Sequence, residues 1–425
     1  MRIQGAGGAK TRGFAHTSAL ALVLAFRVSA AAPDFHARRQ QLAKTVSDGV
    51  IVLFGQPDQE SDDLRDGFRQ TPDFYYLTSW NEPGAILLLT GSREILFLPG
   101  HDRTREKWTG PRAAADDPGV ARVTGFDMVL PAEHFETELH AALVERSKIY
   151  TTGDAAISRL HALAPMREVV DAKLMLTRLR MRKSPEEVTL LQHAADVTIA
   201  GHRAAWKRAA PGVYEYQIAA TLTATFLDGG CERRAYPPII GSGPNSVFVH
   251  YQRIQRRIDP GDLLLIDAGA ECAGYAADVT RTIPIGGRFS ERQREIYNVV
   301  LGAQNAAIGA VKPGVPINTR APNSLFQVAF DYIDSHGKDR HGDPLGKYFI
   351  HGISHQIGLE VHDASDPAAT LEEGMVISVE PGIYIPEENI GIRIEDMVLV
   401  TRDGARVLTA ALPREPSEIE EALAP

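Results

Sequence analysis

The 425-residue chain is too long for one ordinary core and predicts two domains. With 44% hydrophobic and 23% charged residues it has the composition of a soluble globular protein. A formal charge of −9, with no basic run to form a phosphate footprint, excludes nucleic acid as the main partner. Two cysteines, Cys231 and Cys272, are too few for a disulfide framework or a thiolate zinc cage, and both are read as buried free thiols.

Residues 1–33 carry Arg2, Lys10, Arg12 and Arg27 but no acid. An apolar run at 19–26, then small residues at 28–32, has the order of a secretory signal peptide. The expectation is export, to the periplasm or outside, after cleavage between Ala31 and Asp34. A transit peptide or a mis-set start codon, in an organellar or cytoplasmic protein, is the alternative. Eight apolar residues cannot span a bilayer, so no stable membrane anchor is expected.

From 34 to 175 helical and strand patterns alternate, which predicts a small α/β domain. A helix is expected over 34–46, strands at 49–55, 84–91 and 93–100, a helix at 133–146 and a strand at 148–153. Between them, 68–84 holds five aromatics with Pro72 and Pro83 and reads as a packed loop. The basic stretch 178–183 meets Ser184, Pro185, Glu186 and Glu187, an N-cap, a first-turn proline and acids that mark a helix start. The second domain is placed at 176–425.

That second domain repeats itself. A long helix at 185–208 precedes "APGVYEYQ" (210–217) and a further helix to Gly229. A second long helix at 290–310 precedes "KPGVPINT" (312–319) and a helix to about Gly337. Each half then offers a histidine, His250 in "VFVHY" and His362 in "LEVHD", and a strand ending in an acid, Asp267 or Glu380. Asp278 and Glu395 each follow a glycine, Gly274 or Gly391, by four residues. Five matches in one order predict two related halves around a shared crevice. Isolated acids in strand-turn settings are usually solvated. Here Asp267 follows "LLLI" and Glu380 follows "MVISV", where an unpaired charge would be costly to bury. Four converging carboxylates need compensating cations. Two divalent ions would balance them, and oxygen-rich ligands favour Mn²⁺, with Co²⁺ or Zn²⁺ possible.

The stretch "HGISHQIGLEVHD" (351–363) spaces His351 and His355 as in the helical zinc signature H-E-x-x-H. Gly352 stands where that signature needs glutamate, and Gly352, Ile353, Ile357 and Gly358 disfavour a helix. An extended segment is predicted instead, which leaves open which histidine binds a metal.

The runs at 266–287, 351–363, 374–385 and 391–400 closely resemble Xaa-Pro aminopeptidase (aminopeptidase P), one of the pita-bread metallopeptidases that include prolidase. The likeness extends over nearly all of 34–421. It implies an α/β (α+β) protein in which a small N-terminal domain precedes a pseudo-twofold pita-bread catalytic domain. It implies that Asp267, Asp278, His355, Glu380 and Glu395 are the ligands of a dinuclear metal centre, with Asp278 and Glu395 bridging. His250, His351 and His362 fall on positions around the substrate, Glu380 on a proton acceptor, and Arg393 on an arginine beside Glu395, with Tyr384 close by. The implied reaction is hydrolysis of the bond between an N-terminal residue and a following proline, so the partners are peptides with proline second. A homo-oligomer, dimer or tetramer, is expected. Prolidase, restricted to dipeptides, is the runner-up. A non-catalytic binding relative would have lost ligands, and all five positions are filled here.

Overall fold

The computed structural model describes residues 33–58 and 67–424. Apart from Pro33, the segment read as a leader lies outside them. No helix among the described residues is long and apolar enough to cross a membrane.

The N-terminal region is built on a six-stranded mixed sheet in the order Met128–Pro131, Glu94–Leu98, Ile86–Leu89, Gly49–Phe54, Lys148–Thr151, Glu168–Asp171. The strands from 49 to 98 form an antiparallel meander and the outer ones add in parallel. Because side chains alternate along a strand, Val50, Val52, Leu88 and Phe97 face the helices Phe135–Ala142 and Asp154–Leu163, packing on Phe135, Leu139 and Leu160. Ile51, Leu53, Leu87 and Leu96 face the other way, into the main core. With both faces covered these strands read as nearly continuous apolar runs.

The stretch expected to be a packed loop contains a helix, Pro72–Thr78. Pro72 starts it, Ser79 ends it in the left-handed region at φ 55°, and Phe74, Tyr76 and Leu77 are buried. Seven residues are too few for helical periodicity to stand out among aromatics. The basic stretch likewise proves to be the end of a helix, Lys173–Met181.

The long helices fall where the capping residues put them, at Pro185–Arg208 and Glu291–Ala310. Ser184 with Glu187, and Ser290 with Gln293, form reciprocal capping boxes. Each long helix packs against the next, Glu215–Asp228 in the first half and Leu325–His336 in the second. Strands Ile239–Ser242, Leu263–Asp267 and Thr280–Pro284 form one antiparallel sheet, and Val376–Val379, Asp396–Thr401 and Gly404–Val407 another. A hairpin, Gly382–Ile385 with Ile390–Arg393, lies between the second sheet's strands in sequence.

The cysteines are not free: Cys231 and Cys272 form a disulfide. Strand Arg233–Arg234 pairs with Ala270–Cys272, with Arg233 opposite Glu271, which brings the two sulfurs to one edge. Nothing local in a separation of 41 residues announces that pairing.

Candidate metal centre

Each acid sits where a strand or tight turn leaves the core. Asp267 closes the buried strand Leu263–Asp267, directly across from Thr280. Asp278 follows the short strand Tyr275–Ala276; there Gly269 is obligatory, since a Cβ would overlap the Ala277 carbonyl. Glu380 follows Val376–Val379, and Glu395 lies between Ile390–Arg393 and Asp396–Thr401. Gly391 passes so close to the Ser246 carbonyl that a Cβ could not be accommodated. The halves thus meet backbone to backbone beside the acids.

Tyr236 Oη is 2.6 Å from Asp267 Oδ1 and also bonds Asp278 Oδ1. Arg393 donates through Nη2 to Asp267 Oδ2 at 2.5 Å. Thr280 Oγ1 donates to Glu395 Oε2 at 2.7 Å, while Glu395 Oε1 is buried without a hydrogen-bond partner. Ser378 Oγ is 3.3 Å from Glu380 Oε1. His355 Nε2 lies 3.3 Å from Asp278 Oδ2 and 3.5 Å from Glu380 Oε1. Its Nδ1 is 3.1 Å from the Gln356 carbonyl, the bond that directs Nε2 toward the carboxylates. Ligand atoms of Asp278, His355 and Glu395 lie within 4.8 Å of one another.

The electrostatics are those of a cluster short of positive charge. Burial raises the carboxyl of Asp267, against the pull of Arg393, and burial with the neighbouring acids carries Glu395 well above the carboxylate range. Burial lifts Glu380 to about 7 although His355 opposes it. Burial lowers His355, but Asp278 outweighs this and holds it at about 9. An orphaned buried oxygen, four crowded carboxylates and one aligned imidazole are a donor set that could hold hard divalent cations.

The three histidines of 351–363 take different places. His355 comes nearest the acids, while His351 Nδ1 is 4.0 Å from Glu380 Oε2. His351 is spoken for on both ring nitrogens, Nδ1 at 2.8 Å from the Gly352 carbonyl and Nε2 at 2.8 Å from Tyr384 Oη. Arg393 Nη1 donates to that same hydroxyl at 2.8 Å. Burial, aided by Arg393, lowers His351 to about 4. His362 rests edge to face on His355 with ring centroids 4.3 Å apart, and is pulled down by burial and by His355. His250 is exposed and close enough for its charge to bear on His351 and His362.

Arg393, expected beside Glu395 with Tyr384 close by, bonds Asp267 and Tyr384 directly. Its link to Glu395 runs through Thr280 Oγ1, 3.2 Å from Arg393 Nε. Tyr236, Thr280 and Ser378 are the residues that sequence reasoning missed. A phenol before two prolines has no spacing that ties it to distant aspartates.

Residues 189–402 match metallopeptidase family M24, and residues 35–150 match the aminopeptidase P N-terminal domain. The chain belongs to metallopeptidase family M24. It is 34% identical over 429 residues to the Xaa-Pro aminopeptidase of Haemophilus influenzae, covering 93% of this chain and 98% of that one. Among solved structures, aminopeptidase P from E. coli with the inhibitor Pro-Leu superposes with a TM-score of 0.82 at 30% identity, over 92% of this chain and 97% of that one. Aminopeptidase PepP from Pseudomonas aeruginosa gives 0.83 at 31%, with the same shares covered.

Proposed function

We propose that the chain is an Xaa-Pro aminopeptidase that hydrolyses the bond between an N-terminal residue and a following proline, with Asp267, Asp278, His355, Glu380 and Glu395 holding two divalent cations. The observation that carries this reading is the meeting of Asp278, His355 and Glu395, drawn from both halves, at a place where one buried carboxylate oxygen lacks a partner. Asp267 is joined to Asp278 through Tyr236, and Glu380 lies 3.5 Å from His355. Four carboxylates to one imidazole favour a hard ion, Mn²⁺ first, with Co²⁺ and Zn²⁺ as alternatives. Such ions supply a water activated at neutral pH and a Lewis acid for the scissile carbonyl.

The remaining work falls to the chain. Glu380, at the end of Val376–Val379 with Ser378 Oγ at 3.3 Å, is placed to accept the proton of the attacking water and return it to the leaving nitrogen. His362, with no hydrogen-bond partner for its ring among the described residues, is free to donate to the oxygen that gains charge in the transition state. With both nitrogens of His351 engaged, that ring offers the substrate a face and an edge, while exposed His250 retains an N–H for the proline side. Proline brings no N–H of its own, so recognition rests on ring shape, the flanking carbonyl and the free amine.

The test compares Gly-Pro-Yaa peptides with the dipeptide Gly-Pro after loading with Mn²⁺. A higher kcat/KM for the longer peptides is expected. A clear preference for Gly-Pro would make the protein a prolidase. Export is supported by the disulfide, which persists in oxidising compartments. N-terminal sequencing of the native protein should begin between Ala31 and Asp34, and an intact Met1 would refute cleavage.

A further inference from the structure

Arg180 is a deeply buried cation outside the acid cluster. It leaves the helix Lys173–Met181 with 1% of its side chain exposed and meets three carboxylates. Nη1 bonds Asp73 Oδ1 at 2.6 Å; Nη2 bonds Glu360 Oε2 at 3.0 Å and also Asp363 Oδ1. Asp363 Oδ2 is in turn 3.3 Å from the buried Lys183 Nζ. Taking a guanidinium and its partners out of water is costly, and such groups are weak evidence for stability. What they do here is fix geometry.

The geometry they fix is that of His362. Glu360 and Asp363 stand on either side of it, in a stretch of bends with neither helix nor strand. Among the described residues the His362 ring has no hydrogen-bond partner, only the edge-to-face contact with His355. Its aim is therefore set by the backbone around it, and both flanks of that backbone end on one guanidinium. We propose that Arg180 is a positioning residue for His362, and that Asp73, in the helix Pro72–Thr78, gives the N-terminal region a part in turnover through it. This rests on the functional reading above, in which His362 serves the transition state.

Arg180→Lys keeps the charge but loses the planar fork that can reach three acids at once, so it tests position while Asp73 keeps Lys173 at 3.1 Å and Asp363 keeps Lys183 at 3.3 Å. Asp73→Asn, a second variant, loosens the same clamp from the other side. In the Mn²⁺-loaded full chain, each should lower kcat with little change in KM and leave both cations bound by elemental analysis. A loss of roughly ten- to a hundredfold is expected for Arg180→Lys, the scale of a 1 Å misplacement. In a His362→Ala background the same substitution should lower kcat no further, a non-additivity that general loosening of the fold would not give. A full loss in that background, or unchanged kcat for both variants, overturns the proposal while leaving the functional reading intact. Unchanged turnover in His362→Ala alone overturns both.

Discussion

Replacing Glu380 by Gln should stabilise the metal-free protein while ending catalysis. Burial among acids holds the Glu380 carboxyl at about 7 against an ordinary 4.5. An acid whose pKa is raised on folding binds protons more tightly in the folded state, so stability falls as pH rises between the two values. The penalty is absent below 4.5, grows through the interval and is complete above about 7. At about 1.4 kcal/mol per pH unit it amounts to about 3 kcal/mol. Gln keeps the shape and drops the charge, and His355 retains Asp278 at 3.3 Å as its nearer partner. With an unfolding entropy of roughly 2 cal/mol/K per residue, 3 kcal/mol moves the melting midpoint of so long a chain by about 4 °C. Melting curves in chelator at pH 8 and pH 4.5 should therefore show Glu380→Gln melting higher at the first and level with the unmodified protein at the second. On adding Mn²⁺ the gap should narrow, because the unmodified chain gains about 3 kcal/mol at a hundred times its Kd and the variant gains less. An equal shift at both pH values, or a variant that melts lower in chelator at pH 8, would refute the reasoning.

Asp278→Asn should leave the fold intact by circular dichroism yet abolish turnover, with elemental analysis showing cations lost. His355→Ala should lose metal, whereas His362→Ala should keep it and slow by about a hundred- to a thousandfold, as for removal of one oxyanion donor; identical metal loss in both would erase that division. Tyr236→Phe removes the hydroxyl shared by Asp267 and Asp278. It should weaken cation affinity by about ten- to a hundredfold in a metal titration, the usual effect of a lost partner behind a ligand. Cys231→Ser should lower stability by about 2–5 kcal/mol in denaturant melts without altering metal content.

How much of this was legible depends on the range of each signal. Ser184 is a short-range signal, and the helix Pro185–Arg208 begins where its capping box requires. The meander strands were legible because two covered faces make them continuously apolar. The four acids were legible because the chain writes their setting twice, Asp267 and Asp278 in one half, Glu380 and Glu395 in the other, whereas His355 was legible only through the family resemblance. What was lost is what only the fold creates. Cys231 meets Cys272 through a strand pair, Tyr236 reaches two aspartates from a proline-rich turn, and Arg180 gathers Asp73, Glu360 and Asp363 from three distant places. Short elements failed for a different reason: Pro72–Thr78 has under two turns in which to display a period.

The two capping boxes bear on how the site comes into being. Each long helix has its own start signal and its own adjacent helix to pack on, so each half holds local contacts that form early. On the ligand set proposed above, neither half holds a complete centre: Asp267 and Asp278 come from one, and His355, Glu380 and Glu395 from the other. A cation therefore cannot template either half alone, unlike the metal of a zinc finger, and its capture must follow their association. Between the strand Thr280–Pro284 and the helix Glu291–Ala310 runs a short turn in which Gly286 and Arg288 are exposed. A chain cut there should yield two pieces, each inert with Mn²⁺, that recover activity only when mixed.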